Sequence, residues 1–244
     1  MRKLILPLLL TTFTTFLFSP HLHQVHAQQK AHSLNVGMMK EITVDYQYLL
    51  HIPKNDELKV DGKLPLIVFL HGAGERGDSI NLVKVHGPPK IVDNQPEFPF
   101  AVLSPQCKAG EMWDPASLDL LIEMVTSTNP IDRSRVYLTG LSMGGRGTWD
   151  LAFYNPSRFA AIAPICGWGE PFIAAQLKDM PTWVFHGALD FVVPLEESSL
   201  MVLSLKRAGS SKVKFTVYPE ANHDSWTKTY NNAKLYEWML QQRK

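Results

Sequence analysis

Cysteine and net charge are both scarce in this 244-residue chain. There are only two cysteines, Cys107 and Cys166, and they do not form a Cys-x-x-Cys pair, which argues against a structural zinc site. The 24 basic and 23 acidic residues almost cancel, and no basic run or stripe offers a footprint for nucleic acid. The composition therefore predicts no nucleic-acid partner and no metal.

Long hydrophobic runs are also rare, and the longest lies at the N-terminus, from Leu4 to Phe18. It follows two basic residues, is shorter than the roughly 20 residues of a membrane span, and precedes a small-residue cleavage pattern ending at Ala27. We expect residues 1–27 to be a cleaved signal peptide, residues 28–244 to form a single domain, and the mature protein to be secreted or periplasmic without a stable membrane anchor. An uncleaved amphipathic N-terminus or membrane anchor is the alternative.

Export would take both cysteines into an oxidising compartment. Each follows a predicted strand, in Ser-Pro-Gln-Cys for Cys107 and Ala-Pro-Ile-Cys for Cys166. One disulfide between them and two buried free thiols are both open at this point, because bridging depends on the distance between the Cα atoms.

Apolar runs alternate with helical patterns along the rest of the chain. This order predicts an α/β fold with a mostly parallel central sheet and helices on both faces. The predicted strands cover residues 42–52, 64–70, 100–103, 136–139, 160–165, 182–185 and 213–218. The predicted helices cover residues 117–126, 146–154, 195–207 and 229–242.

Residues 78–97 are less regular. The sequence His86-Gly87-Pro88-Pro89 is expected to break any helix there, because proline lacks a backbone N–H. We expect a loop over the carboxyl edge of the sheet, where open α/β folds bind ligands.

The most informative stretch is the strand that runs into Gly-Leu-Ser-Met-Gly-Gly at 140–145. Glycines on both sides of Ser142 permit a tight strand-to-helix turn that exposes its hydroxyl. A serine hydroxyl is a weak nucleophile until a base removes its proton. The motif therefore predicts a nucleophile at Ser142, with a carboxylate and a histidine further along the chain.

Asp190 and His223 meet that need, since each lies in a loop just after a predicted strand. The order Ser142, Asp190, His223 is that of the α/β-hydrolase triad, in which histidine is the base and aspartate orients it. His186 is a rival base, although a structural contact suits it better. Asp224 is a rival acid, ranked second because adjacent side chains in a loop rarely converge on one imidazole.

Negative charge on a carbonyl oxygen needs hydrogen-bond donors that are already aimed at it. The Met143 N–H is one candidate for this oxyanion hole, and the glycine-rich loop at 71–77 supplies the other. We favour the Ala73 N–H there and leave Gly74 open. Glu75 and Arg76 could brace this loop as an ion pair or form a solvated surface pair.

Four motifs together resemble bacterial serine esterases of the α/β-hydrolase superfamily. They are His-Gly-Ala-Gly-Glu-Arg-Gly at 71–77, Ser-Pro-Gln-Cys at 104–107, Gly-Leu-Ser-Met-Gly-Gly at 140–145, and Trp-Val-Phe-His-Gly-Ala-Leu-Asp at 183–190. The branch includes phospholipase/carboxylesterase and prolyl-oligopeptidase-like enzymes, and is similar to feruloyl esterases and polyhydroxybutyrate depolymerases. The resemblance implies the same triad, the Ala73 and Met143 oxyanion hole, and no cofactor.

We therefore expect a serine carboxylic-ester hydrolase that acts on a small-molecule or polysaccharide-linked ester. Trp168 departs from the small turn that is frequent in the branch and could narrow the acyl pocket, which Trp113 and Trp226 could also line; ordinary partly buried aromatics are the alternative. The rival functions are a prolyl-oligopeptidase-type peptidase and a catalytically silent binding protein. The oligomeric state and the natural substrate stay open.

Overall fold

A seven-stranded sheet forms the centre of residues 44–244, the part of the chain that the computed structural model describes. The strands are β1 Gln47–His51, β2 Leu64–Leu70, β3 Ala101–Gln106, β4 Ile131–Leu141, β5 Ala161–Ile165, β6 Thr182–Gly187 and β7 Val213–Tyr218. Their order across the sheet is β1-β3-β2-β4-β5-β6-β7. Only β1 is antiparallel to its neighbour, so the predicted mostly parallel sheet is confirmed.

Strand β2 shows why the chain forms a sheet covered on both faces. All of its residues are buried, as in a strand with helices above and below it. Leu66 and Val68 pack in the core on one face, and Ile67 and Phe69 pack in the core on the other.

The helices are α1 Gly87–Asn94, α2 Pro115–Thr128, α3 Met143–Tyr154, α4 Leu195–Arg207, α5 Ser225–Tyr230 and α6 Ala233–Leu240. Buried residues of α2, α3 and α4 join the first core, and those of α5 and α6 join the second.

Helix boundaries follow the capping side chains. Helix α2 begins two residues before the predicted start, because the Asp114 carboxylate caps it by accepting from Ser117 N–H. The single helix predicted over 229–242 is two helices. Asn232 separates them and caps α6 by accepting from Lys234 N–H. The predicted helix over 195–207 coincides with α4.

The expectation that Pro88 and Pro89 prevent a helix was wrong. Helix α1 starts at Gly87 and carries both prolines in its first turn. A first-turn residue has no intrahelical acceptor for its N–H, so the missing donor of proline costs nothing there, and its fixed φ suits the helix. The prolines therefore begin this helix rather than break it.

The two cysteines are far apart and free. Cys107 follows β3 and Cys166 follows β5, and both are fully buried. Two strands lie between β3 and β5 in the sheet, which puts their ends roughly 14 Å apart at about 4.8 Å per strand spacing. A disulfide needs Cα atoms within about 7 Å, so the disulfide alternative was wrong and the free-thiol alternative holds.

The parallel strands bring four loops to one edge of the sheet. Leu70 is paired with Gly140, so the loop after β2 lies beside the turn after β4. Gly187 is paired with Tyr218, so the loops after β6 and β7 are also neighbours.

None of the helices within residues 44–244 is long and apolar enough to cross a membrane. The expected signal peptide at 1–27 lies outside the described residues.

Candidate active site

Ser142 lies at the apex of the turn between β4 and α3. Its backbone has φ +53° and ψ −115°, a strained conformation for a residue with a side chain. The turn is possible because Gly144 approaches the end of β2, where a Cβ would sit 1.9 Å from the carbonyl oxygen of Leu70. Ser142 N–H donates to the carbonyl of Ile165 in the neighbouring strand, which anchors the turn to the sheet. The strained backbone leaves the hydroxyl partly exposed at the carboxyl edge.

A chain of hydrogen bonds links Ser142, His223 and Asp190. The serine Oγ lies 2.9 Å from His223 Nε2, and His223 Nδ1 lies 2.7 Å from Asp190 Oδ2. Because the carboxylate accepts, Nδ1 carries the proton and Nε2 is free to accept from the serine. The other carboxylate oxygen, Oδ1, accepts from the Val192 and Val193 N–H groups at 2.9 Å. The Asp190 side chain is fully buried, so its charge acts on the imidazole with little screening.

The two rival residues have other partners. The His186 ring is fully buried and contacts Ser198 Oγ at 2.7 Å and the Val193 carbonyl at 2.9 Å, rather than the serine of the turn. The Asp224 carboxylate caps α5 by accepting from the N–H and hydroxyl of Thr227. Geometry therefore favours His223 as the base and Asp190 as the acid.

The loop after β2 is held by side-chain hydrogen bonds to backbone groups rather than by an ion pair of Glu75 and Arg76, which was one of the two alternatives from the sequence. No salt bridge joins these two side chains in the described part of the chain. Glu75 instead accepts from Gly72 N–H at 2.9 Å. Arg76 donates to the carbonyls of Ala73 and Glu111, both at 3.1 Å. These bonds hold the Gly72 N–H and the Ala73 carbonyl, the backbone groups on either side of the Ala73 N–H.

His71 and Trp113 support this loop from below. His71 Nδ1 donates to the Gly72 carbonyl at 2.6 Å, and its Nε2 accepts from Cys107 N–H at 3.0 Å. Burial lowers the pKa of His71 to about 4, so the ring is neutral and fits this donor and acceptor pair. The Trp113 indole N–H donates to the His71 carbonyl at 3.2 Å. Trp113 therefore lies behind the loop as an ordinary buried aromatic, the second of the two alternatives from the sequence, and is not among the residues that line the pocket.

A cavity of about 510 Å³ opens beside the serine, a volume that suits a small organic ligand. Ala73, Met143 and Trp168 line it together with Ser142, whereas Gly74 is not among the described residues that do. The remaining lining residues are Met112, Val192, Val193 and Pro194, with Arg76 and Glu197 as the charged members. The cavity is thus mainly apolar.

Trp226 packs against the candidate base rather than in the cavity. Its ring meets the His223 ring edge-on, with centroids 5.2 Å apart, and meets the His86 ring at 5.4 Å. His86 Nε2 in turn lies 3.8 Å from a Glu75 oxygen. This row of side chains connects the loop after β2 with the loop that carries His223.

Cys166 is close to the same residues, at the strand end after β5. Among the described residues, its sulfur, an Asp190 oxygen and a His223 nitrogen form the one group of three ligand atoms within 4.8 Å of each other. Burial raises the pKa of the Cys166 thiol to about 12, which disfavours the thiolate that a metal would need. The carboxylate and imidazole are also engaged with each other. The arrangement fits a hydrogen-bonded chain better than a metal site.

Comparison with known proteins agrees with this architecture. The sequence signature of the phospholipase/carboxylesterase family matches residues 98–236, more than half of the chain. The chain belongs to this family of α/β-hydrolases. A solved thermostable esterase is 35% identical, with a TM-score of 0.69, over 81% of this chain and 59% of its own.

Two further proteins resemble this family member less than the thermostable esterase does, in identity or in the share of the chain that is matched. Acylaminoacyl peptidase from Pyrococcus horikoshii has a TM-score of 0.60 at 17% identity, over 83% of this chain and 40% of its own, which shows the fold alone. A "Putative carboxymethylenebutenolidase" from Escherichia coli O157:H7 is 33% identical over 106 residues, 40% of this chain and 39% of its own. The match therefore spans about two fifths of the length of that curated relative.

Several contacts in this phospholipase/carboxylesterase family member were not foreseen from its sequence. His186 Nε2 lies 3.2 Å from Asp190 Oδ2, so the carboxylate faces two histidines. The four-residue spacing between them in a strand-to-loop turn is a signal that could have suggested the contact. Nothing in the sequence indicates that Trp113 reaches the His71 carbonyl across 42 positions.

Proposed function

We propose that this protein hydrolyses carboxylic esters through an acyl-enzyme formed on Ser142. The observation that carries the proposal is the hydrogen-bonded chain from the Ser142 hydroxyl through His223 to the buried Asp190. Membership of the phospholipase/carboxylesterase family supports the same reaction class.

In the first half-reaction His223 Nε2 takes the proton of Ser142 as Oγ attacks the ester carbonyl carbon. The electron pair of the carbonyl moves onto oxygen, and the Ala73 and Met143 N–H groups are our proposed donors to that oxyanion. Collapse of this intermediate expels the alcohol, which receives the proton from the imidazolium. Asp190 stabilises the imidazolium while it carries the charge.

In the second half-reaction a water molecule replaces the alcohol. His223 removes a proton from it as its oxygen attacks the acyl carbon, and returns that proton to Ser142 Oγ when the acid leaves. The buried Asp190 carboxylate holds the proton on Nδ1 through both steps, so Nε2 alone exchanges protons with the reactants.

The cavity favours an ester with a compact apolar group. Its lining is dominated by methionine, valine, proline and Trp168 side chains. Val192 lies in the wall and is 69% exposed, and its neighbour Phe191 is 91% exposed, so apolar surface continues outward from the cavity. A small-molecule ester, or an ester carried on a polysaccharide, would enter from that side. We further propose that the protein is secreted or periplasmic, which a mature N-terminus at residue 28 in exported protein would test.

The decisive experiment combines ester turnover with labelling by a fluorophosphonate probe, which reacts with an activated serine. Ser142→Ala should lose labelling and reduce turnover on the order of 10⁴-fold or more, because triad members act as a unit. Ser211→Ala, which changes an exposed serine, is the matched control and should keep both. Turnover that survives in Ser142→Ala would exclude the proposed nucleophile.

A substrate series then separates the remaining functions. Nitrophenyl esters of increasing chain length, acetyl-xylan and methyl ferulate would define the acyl group. Hydrolysis of short peptides without any ester turnover would favour a peptidase. Absence of both turnover and labelling in folded wild-type protein would favour a silent binding protein.

A further inference from the structure

His186 occupies a fully buried position at the end of β6, four residues before Asp190. It is the second imidazole on the carboxylate, with Nε2 3.2 Å from Asp190 Oδ2 and 2.9 Å from the Val193 carbonyl. Both of these oxygens are acceptors, so Nε2 must carry a proton that they share. The role given to His223 leaves this contact unexplained.

The other ring nitrogen of His186 is also engaged. Nδ1 lies 2.7 Å from Ser198 Oγ on α4, and that oxygen lies 3.2 Å from the Gly167 carbonyl. The hydroxyl has one hydrogen for these two acceptor positions, and the shorter contact is the one to Nδ1. Donation to Nδ1 keeps the buried ring neutral and fixes the proton on Nε2, where it faces Asp190.

These contacts fill the positions around the Asp190 carboxylate. Oδ1 accepts from the N–H groups of Val192 and Val193, and Oδ2 accepts from His223 and His186. A carboxylate held on both oxygens cannot rotate about its Cβ–Cγ bond without losing donors. Its direction toward His223 is therefore set by groups that do not touch the serine.

We propose that His186 is a positioning residue that fixes the Asp190 carboxylate against His223, with its own tautomer set by Ser198. This inference rests on the proposed esterase function and adds a residue to its machinery. It extends the support of the site to α4, because the Ser198 hydroxyl on that helix bonds the His186 ring at the end of β6. The site is thereby braced on the side opposite the loop that holds Glu75.

The test compares His186→Leu with His186→Gln. Leucine fills space but has no donor, whereas the glutamine amide can still donate toward Asp190 Oδ2. We expect His186→Leu to lower kcat about a hundredfold with KM nearly unchanged, since small displacements of reacting groups have effects of that order. His186→Gln should recover most of kcat. Ser198→Ala, which releases Nδ1 without touching Asp190, should lower kcat in the same direction by less.

A second measurement does not depend on turnover. The His223 Nδ1 proton, bonded to a buried carboxylate, should give a downfield proton resonance in wild type and His186→Gln, and a broadened or shifted one in His186→Leu. Equal losses of kcat and thermal stability in both His186 variants would show a merely structural role and overturn the inference. Wild-type kcat and an unchanged resonance in His186→Leu would also overturn it. If the esterase function itself fails, the wild type will be inactive and unlabelled. The His223 Nδ1 resonance still tests the role of His186 in that case, because it does not depend on turnover.

Discussion

Gly144 in helix α3 touches the carbonyl group of Leu70 at the end of β2, so closely that a Cβ on the glycine would sit 1.9 Å from the oxygen. This contact joins the helix after Ser142 to the strand before the loop that holds Ala73. The spacing between Ser142 and the proposed Ala73 N–H donor therefore depends on the absence of a side chain at Gly144.

Gly144→Ala should consequently destabilise the protein by about 3 kcal/mol or more and abolish ester turnover, because the clash involves backbone that cannot move aside. Gly74→Ala is the matched control, since a Cβ there meets nothing within 4 Å. Thermal unfolding and nitrophenyl ester assays on both variants check the prediction. A Gly144→Ala protein with wild-type stability would contradict it.

Asp190→Asn should lower kcat on the order of 10⁴-fold, because the amide no longer selects the imidazole tautomer that accepts from Ser142. Asp224→Asn should stay close to wild type, since asparagine also caps a helix and Asp224 contacts Thr227 rather than the imidazole. Steady-state kinetics of the two variants make the comparison. If Asp224→Asn lowered kcat more than Asp190→Asn did, the carboxylate that orients His223 would be Asp224.

His71 should make stability depend on pH. Burial lowers its pKa to about 4, whereas the unfolded side chain titrates near 6.5. Between these values the unfolded state binds a proton that the native state does not. The free energy of unfolding should therefore fall as the pH drops from 6.5 to about 4, by on the order of 3 kcal/mol in total, and His71 should add no slope above 6.5.

The measurement is chemical unfolding of wild type and His71→Gln at several values of pH. Glutamine can still accept from Cys107 N–H but does not titrate, so the variant should have a shallower slope in this window. Subtraction isolates His71 because the other titrating groups are common to both proteins. If the free energies of unfolding of the two proteins changed in parallel with pH, His71 would be protonated in the native state as readily as in the unfolded one.

The thiols should be inert in the native protein. Burial raises the pKa of Cys107 to about 11 and that of Cys166 to about 12, and both side chains are fully buried. A disulfide-exchange reagent at pH 8 should find no reactive thiol until denaturant is added, and then two per chain. A reductant should leave Tm unchanged. A denatured, unreduced protein without titratable thiols would contradict the separation of the two strand ends.

The sequence predicted the strands and the order of Ser142, Asp190 and His223 because both depend on local patterns. Apolar runs mark buried parallel strands, and carboxyl ends of such strands share an edge, so the three residues had to lie near each other. The helix at Gly87 was missed because the same prolines that end a helix also suit its first turn.

Contacts between distant segments were beyond local patterns. Whether Cys107 meets Cys166 depends on the order of strands across the sheet, in which β2 and β4 lie between them. The contact of Trp113 with the His71 carbonyl likewise depends on how the segment before α2 folds back. A side chain that supports a site only through a backbone group, as Trp113 does, has no sequence motif that would reveal the contact, because any residue can supply the backbone partner.

Ser142 precedes the first turn of α3 but makes no side-chain hydrogen bond to it. Serine in that place ordinarily gives its oxygen to the free N–H groups of the helix, and here the oxygen faces an imidazole instead. The Ser142 side chain therefore does not cap this helix. Under the proposed mechanism a substrate oxygen that gains negative charge would accept from the Met143 N–H in this first turn, so the turn that directs Ser142 away from the helix also leaves that N–H available to the substrate.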